Sequence, residues 1–309
     1  MLVVLPFELC AVYTITMCTV HTHATCAADS HSAPKAPPRE HRATRMAAES
    51  GRAYLESHGV EEAIRQALLK VLKDKPANPI KALGMLLDKK KVVILATSAS
   101  AMGDHTTGAW SEEITGPYYV FADAGCDVTI ASIAGGKIPI DAGSLSEAFK
   151  TANDKRFEES GDVAKLETST PLASIAASSV DILFLAGGHG TCVDFPDGAA
   201  KLVTDCYASG KVVGAVCHGP MGLVKATDGG KPLVAGKKVA AFSNEEEGQV
   251  QLTEKVPFSL EDKLKEQGAV YAASGAWSEN AVVDGRLVTG QNPQSSVMTA
   301  KLCLDVVYK

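Results

Sequence analysis

The stretch KVVGAVCHGPMGLV, residues 211–224, sets a cysteine at the end of an apolar, β-branched run and follows it at once with His-Gly-Pro. Runs of this kind read as buried strands, and Gly-Pro ends a strand and admits the start of a helix. A residue on so sharp a turn stands above the sheet with an exposed side chain and a strained backbone. Cys217 therefore has the placement of a nucleophile elbow with sulfur in place of oxygen. The helix to follow aims its N-terminal amides and positive dipole end at the sulfur, which predicts a lowered thiol pKa. His218, next in the chain, can act as acid, base or proton carrier. A second apolar run, SVDILFLAGGHGT, ends in Gly187, Gly188 and His189. Glycine lets main chain approach closely, so the amide of Gly188 and the amide after Cys217 are candidates for an oxyanion pocket, with Gly187 and His189 beside them. Taken alone, a cysteine in an apolar run is usually a small core residue. Cys126, Cys192, Cys206 and Cys303 read that way, although Cys192 lies close enough to GGHGT to line a pocket. The pairing of C-H-G with G-G-H-G lifts Cys217 above that background.

These residues need a scaffold that brings two strand ends together. Four apolar runs, KVVILATSAS, CDVTIASIAGG, SVDILFLAGGHGT and KVVGAVCHG, alternate with helical stretches such as SEEITGPYYVFADAG and GAAKLVTDCYASG. Apolar runs without strict alternation, separated by helices, predict an α/β fold: a parallel, flavodoxin-like sheet sandwiched by helices, with ligands at the carboxyl ends of the strands. A chain of 309 residues, 46% hydrophobic and 21% charged, can bury one large domain and carry an appendage. The net charge of -6 and the absence of a basic block argue against nucleic acid or a membrane surface as partner. Small, neutral or weakly charged ligands fit better. The eight cysteines show no C-x-x-C pair and no zinc-ligand spacing, which predicts reduced thiols in a reducing, cytoplasmic compartment and no metal.

The N-terminal region has a different character. MLVVLPFELCAVYTITMCTV is apolar but lacks a basic start and is interrupted by Glu8, small residues at Thr25 to Ala28 resemble a cleavage site, and SHSAPKAPPREHRATR reads as linker. Residues 1–45 are thus expected to be a leader or disordered segment, with Met46 opening an ordinary protein start. From Val60, apolar residues recur at helical spacing through Ile64, Leu68, Val71 and Leu72. Pro76 stops that helix, Asn78 caps the next, Pro79 fits its first turn, and Ile80, Leu83, Leu86 and Leu87 form a second stripe. Two such short helices cannot bury both stripes alone, so a partner is required: a second copy forming a four-helix bundle, or the chain's own α/β domain.

YLESHGVEEAIRQALLKVLKDKPANPIKALGMLL, within residues 53–88, resembles the dumpy-thirty type of dimerisation and docking motif, with Pro76, Pro79 and Ile80 where that motif wants them. The resemblance implies a homodimer that holds an amphipathic helix of an anchoring protein, in cilia or flagella among other places, through Val60, Ile64, Leu68, Leu83 and Leu87. Residues 90–309 resemble the glyoxalase III and heat-shock chaperone branch of the superfamily that includes the Parkinson's-associated deglycase, PfpI-type peptidases and class I glutamine amidotransferase domains. The matching stretches are TGAWSEEITGPYYVFADAG, ASIAGGKIPIDAGSL, LFLAGGHGTCVDFPD, AVCHGPMGLV, AAFSNEEEGQV, VPFSLEDKLKEQGA and VVDGRLVTGQNPQSS. This likeness implies a nucleophile at Cys217, its histidine at His218, and a pocket glutamate, four residues before a proline, at Glu113 and not Glu112. It also implies a carboxyl held partly protonated by burial. Gly116-Pro117 departs from the His-Pro common in relatives and removes an imidazole close to the site. Asn292, Pro293 and the run Asn244 to Glu247 are expected to shape the pocket wall and fold, and Trp110 and Trp277 to line the entrance or pack. The implied activity is conversion of a small 2-oxoaldehyde to a 2-hydroxy acid without cofactor. A holdase chaperone, a redox stress sensor and a protein deglycase remain open as alternatives of the same family.

Overall fold

The apolar runs become strands β1 (Lys91–Ala96), β2 (Asp127–Ser132), β4 (Ile182–Leu185) and β5 (Val212–Val216) of one sheet in a computed structural model that describes residues 50–309. The leader assigned to residues 1–45 lies outside the described residues. A two-residue strand β3 (Thr170–Pro171) and the pair β6 (Ala281–Asp284) and β7 (Leu287–Gly290) complete seven strands in the order β6-β7-β5-β4-β1-β2-β3. Every pairing is parallel except β6 with β7. That last pair closes through the two-residue loop Gly285-Arg286, with Gly285 at φ +59° as a tight hairpin demands.

All residues of β4, β5 and β7 are buried, as strands covered on both faces must be. Alternation along β4 sends Leu183 and Leu185 into a core layer with Phe195, Val203 and Val213. Ile182 and Phe184 enter the opposite layer with Ile94, Phe121, Val216 and Cys303. The first layer is closed by α5 (Thr191–Gly198) and α6 (Ala200–Ala208), the second by α3 (Ser111–Asp123) and α9 (Ser296–Val307). Three further helices stand at the rim: α4 (Ala152–Glu159), α7 (Asn244–Gln249) and α8 (Leu260–Glu266).

Before the sheet come α1 (Val60–Asp74) and α2 (Pro79–Leu87), the latter capped by Asn78, whose side chain accepts from the Lys81 amide at 2.9 Å. Part of their apolar surface is covered by the chain's own α/β domain. Met85 joins the core layer of α3 and α9, the Tyr308 hydroxyl donates to the carbonyls of Met85 and Asp88, and Lys81 pairs with Asp305 at 2.9 Å. The other part is bare: Ile64, Leu68, Leu72, Ile80 and Leu87 are exposed, while Val60 and Leu83 are half-buried. Among the described residues no helix is long and apolar enough to cross a membrane.

Candidate active site

Cys217 sits one residue past β5 at φ +59°, a left-handed backbone that a non-glycine residue adopts only under constraint. The constraint is visible on both sides of the residue. Its amide donates to the Gly290 carbonyl at the end of β7, and its carbonyl accepts from the Phe242 amide. The elbow is therefore held from two later segments of the chain. The sulfur does not stand exposed as the turn alone predicts: Cys217 is 4% accessible and belongs to the core layer of Ile94, Phe184 and Phe242.

Two further expectations change. The segment after the elbow, Gly219–Leu223, is a short 3-10 turn and not an α-helix, so little dipole is aimed at the sulfur. Burial, the neighbouring Glu113 charge and the hydrogen bond with Glu113 push the thiol well above its ordinary pKa, against an amide contact from Gly188 that pulls it down. Gly187, taken as part of an oxyanion pocket, has its amide engaged by Glu113 Oε2 at 2.7 Å. Both glycines are required by space. A Cβ on Gly187 would lie 2.6 Å from that carboxylate oxygen, and one on Gly188, at φ +93°, 2.5 Å from Gly108 O and the Trp110 amide nitrogen.

Glu112 and Glu113, adjacent in α3, are both buried and turn to different neighbours. Glu112 accepts from Thr151 Oγ1 at 2.5 Å and from Asn153, and burial raises its pKa. Glu113 reaches the sulfur. Burial lifts its carboxyl from 4.5 to about 8 against the opposing hydrogen bonds from Cys217 and Gly187, and its Oε1 is buried without a hydrogen-bond partner of its own. It is a neutral acid at pH 7 with an oxygen free to pass a proton. Gly116 lies elsewhere: a Cβ there would meet the Glu112 carboxylate at 2.4 Å and Val297 at 3.2 Å, so a side chain at 116 is directed to Glu112 and α9.

His218 is fully buried with Nδ1 3.5 Å from Cys217 Sγ and Nε2 2.8 Å from Glu247 Oε2. Burial, then the neighbouring His189, lowers its pKa to about 4, so it is a neutral imidazole. Its two histidine partners hold Glu247 at about 2 against the cost of burial, and it is ionised. An ionised carboxylate accepts from Nε2–H, which leaves the Nδ1 lone pair facing the sulfur as a base. His189 donates to the other oxygen, Glu247 Oε1, at 2.8 Å, with its ring 4.1 Å from that of His218. Phe242 packs against His218 from another side, with ring centroids 4.5 Å apart.

Glu247 is thus the residue that sequence reasoning misplaced, having assigned it to the wall with Asn244. Its neighbour Glu246 does fit that role. It closes the capping box of α7 with Ser243 and accepts from the Trp277 amide, Gln291 and Asn292. The third of three consecutive glutamates gives no local sign that it faces the cysteine. Trp277, at φ +62°, stacks edge-on against Phe242, and Trp110 against Phe149. Cys192, Cys206 and Cys303 are buried core thiols, and Cys126 is half-buried.

The sequence pattern of the DJ-1/PfpI family matches residues 105–305. The chain belongs to that family. Within it, the chain is 33% identical over 236 residues to the glutathione-independent glyoxalase HSP31 of Saccharomyces cerevisiae, covering 71% of this chain and 98% of the relative. A probable glutathione-independent glyoxalase of Schizosaccharomyces pombe is 35% identical over 65% of this chain and 90% of its own length. Among solved structures, glyoxalase III from Candida albicans superposes with a TM-score of 0.65 at 30% identity, covering 70% of this chain and 97% of that one. The Rapid Encystment Protein of Francisella tularensis superposes at 0.68 with 38% identity, covering 71% of this chain and all of its own. The hairpin of α1 and α2 lies ahead of the stretch that matches the DJ-1/PfpI family.

Proposed function

We propose that this protein is a glutathione-independent glyoxalase that converts methylglyoxal or glyoxal to the 2-hydroxy acid through a hemithioacetal on Cys217. One observation carries the reading: a buried thiol lies between a neutral carboxylic acid, Glu113, and a neutral imidazole, His218, that a buried carboxylate orients. Relatives named glyoxalase, at 33–35% identity over most of their length, support the same conclusion.

The chemistry follows from the protonation states. As sulfur adds to the aldehyde carbon, its proton passes to His218 Nδ1, which Glu247 holds in the accepting tautomer. The developing alkoxide takes the proton of Glu113, and the Gly188 amide is close enough to the sulfur to assist at the same centre. Glu113, now a carboxylate in a dry site, removes hydrogen from the aldehyde carbon and returns it to the neighbouring carbon, while the hydroxyl proton crosses to the second oxygen. The hemithioacetal becomes a thioester of the hydroxy acid, with no change in atoms. Water cleaves the thioester: His218 returns its proton to the departing sulfur, one proton of the water restores Glu113, and the other leaves with the hydroxy acid. The overall change adds one water to the oxoaldehyde and consumes no glutathione.

The same reading gives the hairpin of α1 and α2, residues 53–88, its own role as a dimerisation and docking module. The bare stripe through Ile64, Leu68 and Leu87 supports pairing with a second copy and capture of an amphipathic helix, which would localise the enzyme on an anchoring protein such as one in a flagellum.

The test is lactate formation from methylglyoxal, without glutathione, by the full chain beside Cys217→Ser and Glu113→Gln. Turnover in the parent and its loss in both variants is the expected result. An inactive parent whose Cys217 still reacts with a thiol probe removes the glyoxalase reading.

A further inference from the structure

His189, His218 and Glu247 come from three separate segments, so no spacing in the chain announces them as a set, yet their ligand-type atoms all lie within 4.8 Å of one another and all three residues are buried. We propose that these three side chains form a binding site for a divalent transition metal of the zinc class, and that occupancy of this site switches off the chemistry at Cys217.

Donor type selects the metal. Two imidazole nitrogens and one carboxylate with a position left for water is a zinc-type set, whereas calcium and magnesium want oxygen alone. Geometry is nearly in place as well. Glu247 receives Nε2 of both histidines at 2.8 Å, one on each oxygen, so an ion entering between them has only to spread contacts that exist. The frame is stiff: Phe242 packs on His218, and the elbow fixes the backbone of that residue. Access is from one side, since the His189 and Glu247 side chains keep 11% and 10% of their surface while His218 keeps none.

The consequence for Cys217 is a change of tautomer. A metal on His218 Nε2 moves the ring proton to Nδ1, the nitrogen 3.5 Å from the sulfur, and the lone pair that would accept the thiol proton is gone. Glu247, drawn to the ion, no longer sets the ring for proton uptake.

Calorimetry on the chelator-treated full chain tests the binding half without substrate. Zn²⁺ is expected to bind at one equivalent, Cys217→Ser to bind within about threefold of the parent, and Glu247→Gln and His189→Gln to lose more than the roughly 10- to 100-fold typical of groups one layer further out. Co²⁺ in the same site should give visible bands of a nitrogen and oxygen set without thiolate charge transfer. Glu247→Asp keeps the charge and guards against misfolding of the amide variant; it should retain measurable binding. Loss of binding in Cys217→Ser with retention in Glu247→Gln, or thiolate charge transfer with Co²⁺, would place the ion on the sulfur and overturn the proposal, as would the absence of one-to-one binding. The inhibitory half rests on the glyoxalase reading. One equivalent of Zn²⁺ should abolish lactate formation and a chelator restore it; full turnover with the site filled would overturn that half alone.

Discussion

At the carboxyl edge of the sheet, buried charge is matched group by group: Glu247 receives two imidazoles, and Glu246 receives Ser243, Trp277, Gln291 and Asn292. On the hairpin of α1 and α2 the imbalance runs the other way, with Leu72 55% and Ile80 78% exposed. A buried carboxylate without donors costs several kcal/mol, so a site rich in such groups survives only if its partners are positioned before substrate arrives. Exposed leucine and isoleucine, by contrast, cost the fold little. One region has its polar groups partnered within a single copy of the molecule, and the other leaves apolar side chains uncovered.

The contrast can be broken most forcefully at the sulfur. Cys217→Ser should lower lactate formation by about 10⁴-fold or more, the scale set by loss of a covalent nucleophile, with circular dichroism unchanged. Glu247→Gln should lower kcat/KM by about 10²–10³-fold and slow alkylation of Cys217, since the amide no longer fixes the accepting tautomer of His218. That variant also sharpens acid behaviour. Glu247 is held below its unfolded value, so its contribution is present above about pH 4.5 and lost as pH falls toward 2, and His218 adds a loss between 6.5 and about 4 because burial resists its protonation. Acid unfolding of the parent should therefore be steeper than that of the variant.

Glu113 has the opposite sign. Its pKa is raised in the fold, so the stability of its neutral form is fully present below pH 4.5 and is lost as pH rises through about 8. Turnover should decline through the same window, and Glu113→Gln should gain melting temperature relative to the parent as pH is raised from 5 to 9 in parallel scans. The smallest effect on chemistry belongs to the other region. Leu68→Asp should leave activity within about twofold and stability within about 0.5 kcal/mol, while sedimentation shows loss of dimer and of docking-helix capture. A fall in turnover comparable to that of Glu247→Gln would mean that the two regions are not independent.

Much of the site was legible because its backbone leaves marks in the sequence. An apolar run ending in C-H-G fixes an elbow, and G-G-H-G fixes the close approach that Gly187 and Gly188 make. The strand pair β6 and β7 escaped notice although Gly285 and Arg286 sit between AVVD and LVTG, a hairpin signal read only as a family likeness. The raised thiol pKa could not be read, since it depends on burial by residues remote in the chain. Glu113 is legible only through relatives, for adjacent glutamates on a helix usually face water. Glu247 required knowing which of three glutamates turns inward, a matter decided by the Ser243 cap of α7.

The polar contacts that seat the hairpin come from α9 and the residue after it, at Asp305 and Tyr308. A ribosome makes Lys81 well before its partner Asp305, 224 residues further on. Until then the ion pair and the Tyr308 hydrogen bonds are missing, and Met85 has only part of its core layer to pack on. Seating of the hairpin and closure of the second core layer by α9 are thus one late event in the making of the molecule.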